Sequence, residues 1–97
     1  MTVSELTAEQ LAVYIRTDKE NQAEINLLKT LKSSAVSFFC SETGMKEAEL
    51  NDYEDITFAI MILVQDMYDN RCLYIEDGAE VNKTVQAIID HHRRNFV

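Results

Sequence analysis

From Ile56 to Val64 every residue except Thr57 is apolar, and no other feature limits the fold of this chain so strongly. A helix over this run has no polar face for roughly two and a half turns, so it is expected to be covered on all sides. No Gly or Pro bounds it as a short buried strand would require. It also runs on through Gln65, Asp66, Met67, Tyr68 and Asp69 to Arg71, a length that fits a helix. On that helix Ile56, Ile60, Leu63 and Met67 form one stripe, and Thr57, Met61, Val64 and Tyr68 form the next. Two stripes need two sets of partners, and in so short a chain one set is expected to come from another subunit.

Ninety-seven residues make one domain, 1–97. A domain of that size buries roughly 60 to 70% of its unfolded surface, enough for one core. The absence of Pro, the presence of only two Gly and the 27% of charged residues describe helices joined by short polar loops. The predicted class is all-α: a small bundle of about four helices around the central apolar helix, with a short extended arm or hairpin before the last one. Cys40 and Cys72 stand apart with no Cys-x-x-Cys pair, and read as two reduced, partly buried thiols. Met1 to Leu11 lacks the basic and apolar run of a signal peptide, and no stretch reaches the roughly 20 apolar residues that span a bilayer, so a soluble intracellular chain is expected.

The net charge of -8 is unevenly placed. Glu42, Glu47, Glu49, Asp52, Glu54 and Asp55 face only Lys46 in one segment, and Asp66, Asp69, Glu76, Asp77 and Glu80 face only Arg71 in another. Affinity for a phosphate backbone comes from Lys and Arg, so ordinary nucleic-acid binding is excluded.

Taken in order, Thr7 and Gln10 have the form of a capping box for a first helix carrying Leu11 and Ile15 up to Arg16. Asp18 is the expected cap of a second helix reaching about Glu42. In it Ile25, Leu28, Leu31, Ala35 and Phe38 share a face that Leu27 and Phe39 widen, while Glu24, Lys29 and Lys32 face water. Thr43 and Gly44 end it with a left-handed cap. The acidic stretch Met45 to Asp55 reads as a connector with at most one helical turn, in which Asn51 or Asp52 caps the central helix. Leu73, Tyr74 and Ile75 before Glu76, Asp77 and Gly78 suggest the extended arm. Asn82 then caps a last helix with Val85, Ile88 and Ile89 on one face, ending among His91, His92, Arg93 and Arg94, where cations suit the helix dipole.

Little of this points to catalysis. Asp90, His91 and His92 are similar to the Asp-His-His signature of a phosphoesterase family, but adjacent residues on a helix point about 100° apart and cannot both ligate one ion comfortably. Surface His residues at a helix end are the simpler reading. The carboxylates of the connector have solvated neighbours, and no phosphate loop or Ser-His-acid set is present. No catalytic, cofactor-binding or metal residue is assigned. Tyr68, Asp69, Asn70 and Arg71 form a polar cluster after the apolar run, either a plain helix end or an interface patch.

Several segments together resemble the small head-tail connector (adaptor) proteins of tailed phages and prophages. Leu11 to Asp18 (Leu-Ala-Val-Tyr-Ile-Arg-Thr-Asp) is similar to that family's opening Leu-x-x-Tyr-[Ile/Leu]-Arg-x-Asp. Thr43 and Gly44 follow in place, and Tyr68, Asp69, Asn70 and Arg71 resemble its Tyr-[Asp/Glu]-[Asn/His]-Arg. Asn82, Val85, Ile88, Ile89, His92 and Arg93 complete the likeness, while Glu76, Asp77 and Glu80 depart from the small or apolar residues usual before the last helix. The resemblance implies a virion protein without enzymatic activity or cofactor, assembled as a dodecameric ring under the portal protein. It also implies a downstream head-tail joining or stopper protein as a second partner, and a channel that passes DNA without binding it specifically. It implies location at the head-tail interface of the virion, and in the host cytoplasm during assembly, with no membrane contact. On this reading Tyr68, Asp69, Asn70, Arg71, Arg93, Arg94, Phe96 and Val97 are the expected interface residues. The alternative is a small acidic helical phage regulator that binds a host protein through an apolar groove.

Overall fold

The computed structural model describes residues 2–70 and 83–92. Within them lie four α-helices and no strand: α1 Ala8–Ile15, α2 Gln22–Thr43, α3 Glu54–Asp69 and α4 Lys83–His92, with a 3₁₀ helix Glu47–Asp52 between α2 and α3. The expected all-α bundle around a central apolar helix is what forms. The arm or hairpin expected over Cys72 to Val81, and the Asn82 cap, lie outside the described residues.

Local chemistry explains most boundaries. Thr7 caps α1 by accepting the Gln10 N–H at 3.1 Å, and the Gln10 side chain accepts the Thr7 N–H at 2.8 Å, the expected reciprocal box. α2 is capped by Asn21, not by Asp18: Asn21 Oδ1 takes the N–H groups of Ala23 and Glu24. Asp18 instead accepts the Glu20 N–H at 2.9 Å and shapes the turn ahead of the helix. Gly44, at φ 75°, ends α2 as expected and donates its N–H to the Cys40 carbonyl. α3 starts earlier than its apolar run, at Glu54, and neither Asn51 nor Asp52 caps it; Tyr53 holds that position without a side-chain bond. Asn51 is engaged elsewhere, since its side chain accepts the Ser4 N–H and donates to Ser4 Oγ, both at 2.9 Å.

The core lies between α2 and α3. Leu28, Ala35 and Phe39 of α2 meet Ile56, Ala59, Ile60, Leu63 and Val64 of α3, all fully or almost fully buried. α1 adds Leu11 and Ala12, and α4 adds Val85 and Ile89. Val3, Leu6, Met45 and Leu50 close the remaining gaps from the connecting segments. α1 packs on α2 and α3, as does α4, but α1 and α4 do not touch one another.

Both stripes expected on α3 find cover within the chain, with Met61, Met67 and Tyr68 partly buried against the core. The expectation of cover on every side is not met: Phe58 is 51% exposed and Ile62 is half-buried on a third stripe. The reason is coverage. α1, α2, α4 and the 3₁₀ helix all reach α3, yet Phe58 stays open to solvent. Glu24 and Lys32 also differ from the expected solvent face. Both are half-buried, and Lys32 donates from Nζ to the Leu6 carbonyl at 2.7 Å, anchoring the N-terminal segment.

Candidate functional site

Three arrangements on this scaffold use side chains that the core does not need. The first is a joint at the C-terminal end of α3. Tyr68 leans toward the corner between α1 and α2, where its hydroxyl donates to Glu24 Oε2 at 2.8 Å and lies 3.3 Å from Thr17 Oγ1. Arg16 forms that corner in the left-handed conformation at φ 68°, with its N–H turned back to the carbonyls of Ala12 and Val13. A residue with a Cβ is disfavoured there by roughly 1–2 kcal/mol. Of the expected interface residues, Tyr68 is therefore half-buried in this joint, whereas Asp69 and Asn70 are exposed at the helix end. Asn70 folds back to donate to Asp66 Oδ1 at 2.9 Å. Arg71, Arg93, Arg94, Phe96 and Val97 lie outside the described residues.

The second arrangement is a clasp between the start of α3 and the end of α4. His92 Nε2 lies 2.7 Å from Asp55 Oδ2, with the histidine side chain only 10% exposed. The Tyr53 ring packs on it at 4.5 Å between centroids, and the His91 ring meets it edge-on at 4.9 Å. His92 is thus not the surface residue expected from its place at a helix end. Its partner comes from a helix 37 residues away in sequence, which no local pattern signals. No three His, Cys, Asp or Glu residues come together to hold a metal ion among the described residues.

The third is the outer stripe of α3. Phe58 and Ile62 share this face with Gln65, Asp66 and Asp69, so an apolar half is followed by an acidic half. Ile62, Gln65, Asp66 and Asp69 border a shallow depression of about 190 Å³. Between α2 and the start of α1, a hollow of about 420 Å³ is lined in part by Thr7, Glu9, Lys29 and Lys32, of which Lys32 already holds the Leu6 carbonyl.

Two groups carry perturbed acidities. Burial, together with the charges of Glu47 and Glu49, pushes the Cys40 thiol up, so it stays protonated and unreactive near neutrality. Glu5 is held below the usual carboxylate range because it accepts the Thr2 N–H at 2.9 Å and is also bonded by the Thr2 hydroxyl. No described helix is long and apolar enough to cross a membrane. Compared with protein-family models, curated proteins and solved structures, the chain matches none of them.

Proposed function

We propose that the chain is a structural virion protein, the head-tail connector subunit of a tailed phage or prophage, forming a ring between the portal and the tail-joining proteins. The observation that carries this reading is the joint at Tyr68. Leu11 to Asp18 and Tyr68 to Arg71 bear much of the family resemblance, and Tyr68 reaches the end of the first of these segments at Thr17, a position that the family pattern leaves open, 51 positions away. The acidic composition supports the same reading, since a channel wall of like charge repels DNA and leaves its passage unobstructed.

In this proposal Asp69 and Asn70 at the end of α3 contribute to the interface together with Arg71, and the tail with Arg93, Arg94, Phe96 and Val97 docks on the portal. Phe96 is the apolar anchor there, and the arginines form a charged rim. The test is a pull-down of purified chain on a portal ring, with electron microscopy of the complex. A ring of chains seated on the portal is expected. Deleting residues 95–97 should abolish capture while leaving the melting temperature nearly unchanged. Equal capture of the shortened chain overturns the role of the tail, and failure of the full chain to bind the portal of its own phage overturns the connector reading.

A further inference from the structure

Among the described residues three large apolar side chains stand exposed: Val13 at 62%, Phe58 at 51% and Tyr53 at 40%. Tyr53 packs on His92 in the clasp, and a single exposed aliphatic residue such as Val13 is ordinary. Phe58 differs because it belongs to a stripe whose chemistry changes along α3. Glu54 and Asp55 lie one turn before it, Ile62 one turn after it, and Asp66 and Asp69 over the next two turns. No Lys or Arg interrupts α3. Asp55 meets His92 and Asp66 accepts a neutral amide from Asn70, whereas Glu54 and Asp69 are exposed and neither forms an ion pair among the described residues. The stripe is thus acidic, then apolar, then acidic, over about 22 Å of helix.

We infer that this stripe is the docking surface for a cationic amphipathic helix of a different protein, about four turns long, with apolar residues in its middle and Lys or Arg toward both ends. The inference goes beyond the connector reading and does not rest on it. Charge complementarity selects the occupant, since acids at both ends of the stripe call for cations at both ends of whatever covers it. The depression bordered by Ile62, Gln65, Asp66 and Asp69 suits one of those cations. A Lys or Arg stem can lie along Ile62 while its head donates to Asp69 and Gln65.

The same pattern argues against a second copy of α3 as the occupant. Parallel stripes would set each acidic end against itself, and antiparallel stripes would set Glu54 and Asp55 against Asp66 and Asp69, so carboxylates oppose carboxylates either way. A chain of net charge -8 gains nothing from that pairing. With a cationic partner the two kinds of residue divide the work. Exposed ion pairs are individually weak, so the acids set the choice of partner and the rate of encounter, while burial of Phe58 and Ile62 supplies the affinity.

The probe is a labelled synthetic helix of about four turns with Lys in its first and last turns and a Leu stripe between them. Its control is an isomer of the same composition whose Leu residues are spread around the helix. Fluorescence anisotropy at physiological salt should give the striped peptide a Kd of roughly 1–100 µM. The isomer should bind at least tenfold more weakly, and Phe58→Ser should weaken the striped peptide at least tenfold. No binding by the parent chain, equal binding of the two peptides, or binding unchanged by Phe58→Ser overturns the inference. If Phe58→Ser loses its helical spectrum, a charge swap decides. Glu54→Lys with Asp69→Lys should weaken the Lys peptide at least tenfold and bind a Glu version of it better than the parent does; failure of that exchange also overturns it. Other occupants are read in the free chain. Concentration-dependent mass in sedimentation that disappears in Phe58→Ser assigns the stripe to a second copy, and nuclear Overhauser contacts from the Phe58 ring to residues 71–82 or 93–97 assign it to the chain itself. Either result overturns the inference, and portal capture, measured separately, reports only on the connector reading.

Discussion

The two faces of α3 have similar side chains and opposite surroundings. Ile56, Ile60, Leu63 and Val64 on the inner face are at most 1% exposed, while Phe58, larger than any of them, stands half in water on the outer face. Apolar composition is therefore enough to make the segment a helix, but it does not decide which residues are buried. That is settled by where α1, α2, α4 and the 3₁₀ helix can reach. An outer residue can change its chemistry at little cost to the fold, so the outer face is where an interaction can be built.

The most direct way to break this contrast is to place the same charge on both faces. Leu63→Asp buries an unpaired carboxylate and should cost several kcal/mol, a large share of the roughly 5–15 kcal/mol available to a domain. Phe58→Asp should move stability by only about 0.5 kcal/mol. Thermal melts followed by far-ultraviolet circular dichroism compare them, and a Leu63→Asp chain melting like its parent would erase the distinction.

A smaller effect tests the boundary between the faces, where Tyr68 leaves the core to reach Glu24. Tyr68→Phe keeps the ring and removes the donor. A hydrogen bond to a charged acceptor contributes about 1.5–3 kcal/mol, and partial exposure here brings the expected loss to about 1 kcal/mol. Urea titration should show a lower midpoint with an unchanged slope, and the effect should shrink when Glu24 is already Ala, with Thr17 Oγ1 left as the remaining partner.

On the inner face Thr57 is the one exception to apolar chemistry in the run from Ile56 to Val64. It is 4% exposed, and its hydroxyl has no hydrogen-bond partner among the described residues. Thr57→Val should therefore stabilise the chain by about 1 kcal/mol, read as a rise in melting temperature. A fall would mean that the hydroxyl is bonded and that the inner face is less uniformly apolar than the contrast requires.

The smallest effect is expected at Glu5, exposed in the N-terminal turn. Its carboxyl is depressed by the Thr2 bonds, so it holds Thr2 fully at pH above the ordinary carboxylate range. The hold is lost as pH falls through the lowered value. Amide shifts of Thr2 in an acid titration should follow that loss while the global melt is unaffected by Glu5→Gln. A changed melt would tie this turn to the core.

Features legible in the sequence share one property: their partners lie within four residues. The Thr7–Gln10 box and the Gly44 cap are satisfied by nearby backbone groups, so spacing alone exposes them. The choice of Asn21 over Asp18 as a cap was less legible because both types suit the role and the winner depends on where the turn places it. Asn51 binding Ser4, and Asp55 meeting His92, join residues 47 and 37 positions apart, and no period along the chain encodes such pairs. The candidate surface divides in the same way. The cluster at Tyr68, Asp69 and Asn70 was visible as polar residues after an apolar run, but the exposure of Phe58 and Ile62 was hidden because a fully apolar segment carries no mark of its uncovered side.

That α1 and α4 never touch has a consequence for motion. Each rests separately on the α2–α3 pair, so the bundle has two outer layers that can open without displacing one another. α4 is the shorter investment: it buries Val85 and Ile89, and its far end is fastened by the Asp55–His92 clasp. Opening there exposes Val85, Ile88, Ile89 and the parts of α2 and α3 they cover, so its amides are expected to exchange with solvent deuterium through partial unfolding, ahead of the α2–α3 amides that wait for the whole molecule. The bundle thus has a graded order of release, in which α4 can let go while the central pair stays folded.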